Sequence, residues 1–391
     1  MSEIRQHYYV GDIENFNLRV LTKSGYSKEA AQATSFALLQ ADMKGIFSHG
    51  VAGGTGIEEA VQRSGITATV DPSAIPIILQ QKYPTIAVID GNGSPGHLAA
   101  MTAVELVKNL ARKYGIAKVF VNNTNHYGAA GVWSEKIAED GDLKGESYCT
   151  TAAFARVMGD DPDKLDYTKG AGKELRLGTN PIAISIPHDK GTMTLDMACT
   201  RMAVSLCLKH LKAGEMLTTP EYIADENYKS TLNPTEFVDS MEKLDQVKGT
   251  VFPFGSTLAG YKGDSLLRFI EIDQSLGGGP IHKIPVGPSK ERRISHCFVA
   301  QVIDFHYSEE EAKAVFRELI NDYETKYFGP LSRWPGDRSL KAQEYSKNEG
   351  IPYSIGQVNT LRRAAEHVGL NFNDILQPCS NKDYPYEIFN K

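Results

Sequence analysis

The sequence predicts an α/β protein in which a helical lobe, built from both ends of the chain, flanks a central lobe containing a large sheet. Amphipathic helical patterns sit near both termini, while short β-branched or alternating runs fill the middle. Helices rather than tight hairpins separate several of those runs. A length of 391 residues is too great for one small core, and 41% hydrophobic with 23% charged residues is ordinary for a globular chain. The expected partition joins residues 1–75 to 308–391 as the helical domain and leaves 76–307 as the sheet domain.

Residues 27–44 place Ala33, Phe36, Ala37 and Leu39 at helical spacing behind a Ser27 cap, with Gly45 as a stop. Five segments read as strands: 85–90 (TIAVID), 116–121 (IAKVFV), 180–187 (NPIAISIP), 192–198 (TMTLDMA) and 295–304 (SHCFVAQVID). Between the first two lies the helical pattern HLAAMTAVELVKNLARKYG, and after the second a helix marked by Trp133 and Ile137 ends at Gly141. Towards the C-terminus, Ser308 and Glu311 form a capping box ahead of the stripe Ala312, Val315, Phe316, Leu319, Ile320 and Tyr323. A last helix carries Val358, Leu361, Ala364, Ala365 and Val368 behind the turn-rich Trp334-Pro335-Gly336-Asp337. Stretches 157–176 and 279–293 are rich in Gly, Pro and charge and read as surface loops.

The net charge of −6 carries no basic stripe, so nucleic acid and anionic membrane are not expected partners, and a small molecule is. Five scattered cysteines without a CxxC pair point to reduced thiols in a cytoplasmic setting. No secretory signal opens the chain and no run of about 18 apolar residues would span a membrane. Neither HExxH nor paired-cysteine spacing occurs, so no metal is expected.

Several stretches offer chemistry. Gly91-Asn92-Gly93-Ser94-Pro95-Gly96 is a GxGxxG between a strand and a helix, the context of a dinucleotide fingerprint. The acidic residue expected at the end of the next strand is absent, and Pro95 sits inside the loop. Asn122 to Gly131 joins a strand to a helix N-terminus suited to an anion, although Thr124 or Asn125 as a plain cap fits the same residues. Asp196 ends a strand, where a carboxylate orients a histidine or solvates a turn. Lys262, between glycines, meets a phosphate or solvates a turn. His49 has the free pKa of a group that exchanges protons near neutrality, and Ser48 beside it polarises the ring or caps a helix. A serine nucleophile is not indicated, because no G-x-S-x-G elbow occurs.

Taken in order, DMKGIFSHG (42–50), DGNGSPGH (90–97), NTNHYGAAG (123–131), LGTNPIA (177–183), LDMACT (195–200), GYKG (260–263) and PGDR (335–338) resemble the type 2 malate/L-lactate dehydrogenase family. That family also holds ureidoglycolate and sulfolactate dehydrogenases, diketogulonate reductase and Δ1-piperideine-2-carboxylate reductase. The resemblance implies an NAD- or NADP-dependent oxidoreductase of 2-oxo acids, 2-hydroxy acids or related imines. It also implies a non-Rossmann cofactor-binding domain with a large mixed or antiparallel sheet, a homodimer, and a GxGxxG that is a decoy. By the same resemblance His49 is the proton donor, with Ser48 and Asp196 as a relay that raises its proton affinity. Cofactor contacts fall on His126, Tyr127, Gly128, Pro187, His188, Tyr261, Lys262, Ser295 and His296, while Thr179 and Asn180 shape the site floor.

Departures bear on the substrate. The arginine that the family commonly places four residues after the histidine is Gly53 here, which removes a bidentate carboxylate grip. Leu206 stands for a family lysine and Thr150 or Thr151 for an asparagine. Either Arg156 or Arg201 takes over the carboxylate, or the substrate is larger and less anionic. These losses also leave room for a member without dehydrogenase turnover, or one using its cofactor for a redox-neutral step.

Overall fold

The structure, a computed structural model, describes residues 3–63, 67–151, 155–156, 175–188, 191–240, 247–278, 294–328 and 333–389. The chain opens on β1 (Ile4–Tyr8), α1 (Val10–Lys23) and α2 (Lys28–Met43), then a 3-10 turn at Phe47–His49 and α3 (Ile57–Gln62). Ser27 caps α2 by accepting from the Ala30 amide, as its sequence position predicts. The chain continues with β2 (Ile77–Ile78), β3 (Ile86–Asp90), α4 (Gly96–Tyr114), β4 (Ile116–Thr124), α5 (Ala130–Ala138) and β5 (Leu143–Cys149). After β6 (Ala155–Arg156) and β7 (Leu175–Leu177) come β8 (Ile182–His188), β9 (Gly191–Met197) and α6 (Val204–Ala213). A small sheet follows from β10 (Ile223–Ala224), β11 (Ser230–Thr231) and β12 (Thr250–Val251), with α7 (Pro234–Phe237) between its strands. The chain finishes with α8 (Ser256–Leu276), β13 (Ile294–Val302), α9 (Glu309–Asp322), α10 (Asp337–Glu349), β14 (Ile351–Tyr353), α11 (Ile355–His367), α12 (Phe372–Ile375), β15 (Ser380–Asp383) and α13 (Tyr386–Phe389).

The main sheet is mixed, in the order β2-β3-β4-β13-β5-β8-β9, and only β3 and β4 run parallel. A parallel pair needs a crossover, and α4 supplies it. Its Ala99, Ala103, Val104, Val107 and Ala111 lie in one buried cluster with Ala87, Ile89, Val119 and Val121 of the sheet. A second cluster joins α1 and α2 (Ile13, Phe16, Val20, Leu38, Leu39) to Tyr353 of β14 and Leu361, Ala364 and Ala365 of α11. β1 pairs with both β14 and β15, so the two ends of the chain share a sheet. A third cluster lies within 155–270 and includes Ile223, Phe237, Val251 and Leu267. No helix among the described residues is long and apolar enough to cross a membrane.

Four features differ from the sequence reading. Gly260-Tyr261-Lys262-Gly263 lies inside α8 rather than ahead of it, because the helix starts at Ser256 and bends at Ala259 instead of at the glycines. β5 and α10 show no apolar periodicity in the sequence: Leu143, Gly145, Ser147 and Cys149 face inward, but two of them are polar or lack a side chain, and α10 buries only Ala342 and Ser346. The α9 capping box forms, yet its apolar stripe is not buried within this chain, with Val315 and Leu319 each about half exposed. Of the loop expected at 157–176, Leu175 and Arg176 belong to β7, which pairs with β6 through Leu175 and Leu177, while 157–174 and the loop expected at 279–293 lie outside the described residues.

Candidate active site

The Ser48-His49 turn begins where α2 stops at Gly45, whose φ of 72° no side chain adopts readily. Asp42, in the last turn of α2, is fully buried, and its Oδ2 accepts from the Val51 amide at 2.8 Å and the Tyr353 hydroxyl at 2.5 Å. Burial pushes this carboxyl up to about 7, the two hydrogen bonds opposing the shift. Gly53 closes the turn, its amide 2.9 Å from the Gly50 carbonyl, and a Cβ there would lie 2.5 Å from the Ser48 carbonyl oxygen. No side chain fits at 53 unless the turn moves.

Within that turn, Ser48 Oγ lies 2.9 Å from His49 Nδ1. The His49 ring stacks on His126, centroids 5.7 Å apart and planes 18° apart. Burial lowers the His49 pKa to about 4, so the imidazole is neutral at pH 7. The shift is downward, whereas the sequence reading expected a neighbouring Asp196 to raise the proton affinity of the ring.

His126 belongs to the segment between β4 and α5. Tyr127 stacks on His296 at 4.3 Å, places its hydroxyl 3.0 Å from Ser147 Oγ, and accepts at its carbonyl from Trp133 Nε1 at 2.7 Å. Its phenol is therefore held deep in the sheet, with burial raising its pKa well above the usual range. Burial also keeps His97, His126 and His296 neutral, pushing His97 to about 4 and His296 to about 3. Gly128, at φ 85°, passes beside the His97 ring, whose Nε2 is buried with no hydrogen-bond partner among the described residues.

Asp196 sits at the exposed end of β9, against Gly131 in the first turn of α5. Its charge supports Lys44, a buried lysine that burial nonetheless lowers to about 8 and that forms an ion pair with Glu135. Pro187 and His188 line a cleft of about 520 Å³ with Lys44, Glu135, Lys136 and Lys313. The carboxylate thus lies beside Lys44 and against the first turn of α5.

Asn180, buried with φ 34°, accepts from the Thr151 amide and donates to the Leu267 carbonyl, while the Thr179 amide donates to Thr151 Oγ1 at 2.7 Å. These two residues tie β8 to the 150–151 segment and to α8. Ser295 and His296 lie behind the surface, both buried: Ser295 bonds Thr150 and Gln274, and His296 bonds the Asn125 carbonyl and supports Tyr127. Tyr261 and Lys262 are exposed on α8. Arg201 is exposed with its guanidinium 5.7 Å over the Tyr222 ring, and the Arg156 side chain lies outside the described residues. Leu206 is partly exposed on α6.

The GxGxxG run is packed shut. Gly96 lies directly on the Asn125 and His126 carbonyls and the Gly93 amide bonds the Asn123 carbonyl, so this helix start has no open cradle for a phosphate. Among the described residues no cluster of three or more His, Cys, Asp or Glu could hold a metal ion. Sequence reasoning missed Asp42, Lys44, His97, Glu135 and Tyr353. The available signal was Asp42 four residues after Leu38 on the buried face of α2, where a carboxylate is out of place.

The sequence profile of malate/L-lactate dehydrogenases matches residues 10–362. The chain is 30% identical to a malate dehydrogenase of Pyrococcus abyssi over 364 residues, covering 92% of this chain and 94% of that protein. It is 26% identical over 271 residues to a Δ1-pyrroline-2-carboxylate reductase of Burkholderia ambifaria, 69% of each chain. Its fold superposes on the solved structure of a sulfolactate dehydrogenase from Methanocaldococcus jannaschii with a TM-score of 0.75 at 26% identity, covering 94% of this chain and 99% of that one. With its mixed sheet, its histidine turn and a match across most of its length, the chain belongs to the malate/L-lactate dehydrogenase family of oxidoreductases.

Proposed function

We propose that this protein is an NAD(P)H-dependent oxidoreductase acting on a 2-oxo acid and 2-hydroxy acid pair, with His49 exchanging the proton at the substrate oxygen. The observation that carries the reading is the Ser48 hydroxyl on His49 Nδ1, which leaves Nε2 without a protein partner among the described residues. A hydroxyl both donates and accepts, so Ser48 serves either tautomer and Nε2 presents a lone pair or a proton as the reaction direction requires. The neutral ring is ready to take a proton from a hydroxy acid. Reduction first requires protonating the ring, which negative charge on the substrate favours.

The bound nicotinamide cofactor would supply or accept the hydride. The residues fit such a group: His97 Nε2 is an orphaned buried polar atom beside Gly128, and the α5 N-terminus carries no side-chain cap. His126, Tyr127 and Gly128 would hold it, with Pro187 and His188 along the cleft and Tyr261 and Lys262 on α8. Ser295 and His296 would act by supporting that wall. Asp196 would set the charge around Lys44 and the α5 N-terminus. Thr179 and Asn180 would brace the floor, and Gly53, lacking a side chain, would let the 48–53 turn close tightly beside the substrate. A cyclic imine is the second reading, favoured by the Burkholderia reductase, because the same histidine can protonate a nitrogen.

The half-exposed α9 stripe, with Val315, Leu319 and Tyr323 on one side of the helix, supports a homodimer that covers it. The test is turnover with NADH or NADPH against oxaloacetate, sulfopyruvate and Δ1-pyrroline-2-carboxylate, and the reverse with malate and sulfolactate. His49→Asn should abolish turnover while leaving cofactor binding intact, and unchanged turnover would refute the role.

A further inference from the structure

The carboxylate of Asp42 lies underneath the turn that carries His49. Its Oδ2 takes two hydrogen bonds, from the Val51 amide just beyond the turn and from Tyr353 on β14, while Oδ1 is buried with no partner among the described residues. Gly50 lies so close over Oδ1 that no Cβ could be accommodated there. The carboxylate and the glycine that follows His49 are thus fitted to one another.

The C-terminal part of the chain grips the same place. Ser346 Oγ donates to the Met43 carbonyl at 3.1 Å and Gln343 Nε2 to Gln40 Oε1 at 3.2 Å, both on α2. Phe47 stacks on Phe389 at 5.5 Å and meets the Tyr353 ring at 6.4 Å. A buried carboxyl with one unsatisfied oxygen is costly, and an apolar residue would pack this helix end without that cost.

We propose that Asp42 is a positioning residue for His49, locking the 48–51 turn to the C-terminal strand β14 through Tyr353 and so fixing where Nε2 points. The inference rests on the reading of His49 as the proton-exchanging group. It extends that reading by making proton transfer depend on a contact between residues 311 positions apart.

Asp42→Asn and Tyr353→Phe in the full-length protein test it, through amide hydrogen exchange along the chain and through kcat and KM with NADH or NADPH and oxaloacetate. In both variants exchange at residues 48–53 should speed by about 10-fold or more, with α4 and α11 unchanged. A misplaced histidine should lower kcat by about 10- to 100-fold in Asp42→Asn while KM stays within about threefold, with a smaller loss in Tyr353→Phe. Tyr353→Phe keeps the ring packing and decides the matter if Asp42→Asn does not fold. Unchanged exchange at 48–53, or faster exchange spread evenly over the chain, overturns the proposal. Turnover retained by His49→Asn would instead remove the proton-transfer reading, and the exchange pattern would still judge the anchor.

Discussion

The lowered proton affinity of His49 should be visible in how each reaction direction depends on pH. Free imidazole has a pKa of 6.5, and burial brings this one to about 4. Moving from 6.5 to about 4 makes protonation of the free enzyme roughly 3 kcal/mol harder than in water. At pH 7 only about one molecule in a thousand then carries the imidazolium that reduction needs, whereas nearly all carry the neutral base that oxidation needs. The profile of kcat/KM reports the free enzyme, so for malate oxidation it should be flat from about pH 5 upward. For oxaloacetate reduction it should fall about tenfold per pH unit above pH 4 to 5. The assay is initial-rate kinetics in both directions, with His49 followed independently by NMR of labelled histidine. A reduction profile that stays level up to pH 6.5, or a His49 resonance titrating at its ordinary value, would refute the argument that burial dominates this ring.

Gly53→Arg, which installs the residue common in the family, should not create a carboxylate grip: its Cβ would lie 2.5 Å from the Ser48 carbonyl oxygen, so the turn must shift. Turnover should drop and thermal unfolding should reveal about 1–3 kcal/mol of lost stability; improved kcat/KM at unchanged stability would contradict this. The buried histidines also set the acid stability. His97, His126 and His296 have depressed pKa values, so below pH 6.5 the unfolded chain takes up protons that the folded chain refuses, and stability falls on acidification. Asp42 works the other way, since its raised value gives stability that is lost as pH rises towards 7. With His49, four depressed histidines outnumber the one raised carboxyl, so the net effect is stability that falls as pH drops from about 6.5 towards 4.5. Urea titrations across that window measure it, and a level stability would count against neutral buried rings.

Helices α2, α9 and α11 and five strands of the main sheet were legible because their side chains repeat with the period of the element they form, whereas α1 and α10 were not read. Residues of β5 such as Gly145 and Ser147 were not, because the strand is buried on one face by close backbone packing rather than by large apolar groups: a Cβ at Gly145 would meet the Ile137 side chain at 2.7 Å. At the site, His49 with Ser48, and the His126–Gly128 segment, were readable from residue type and from the strand-to-helix context. Asp42, Lys44 and Tyr353 were not, since their meaning depends on partners distant along the chain.

Local periodicity and capping chemistry alone determined an α/β chain with helical ends, a Gly-rich turn after α2 and a histidine within it. Only the folded chain decided which charges meet. It set Asp196 against the start of α5 and beside Lys44, closed the GxGxxG run over the Asn125 and His126 carbonyls, and brought the Tyr353 hydroxyl onto Asp42 beside the histidine turn. The physical reason is range: turns and helix caps are settled by neighbours within a few residues, whereas burial, and with it the proton affinity of a side chain, is a property of everything packed around it.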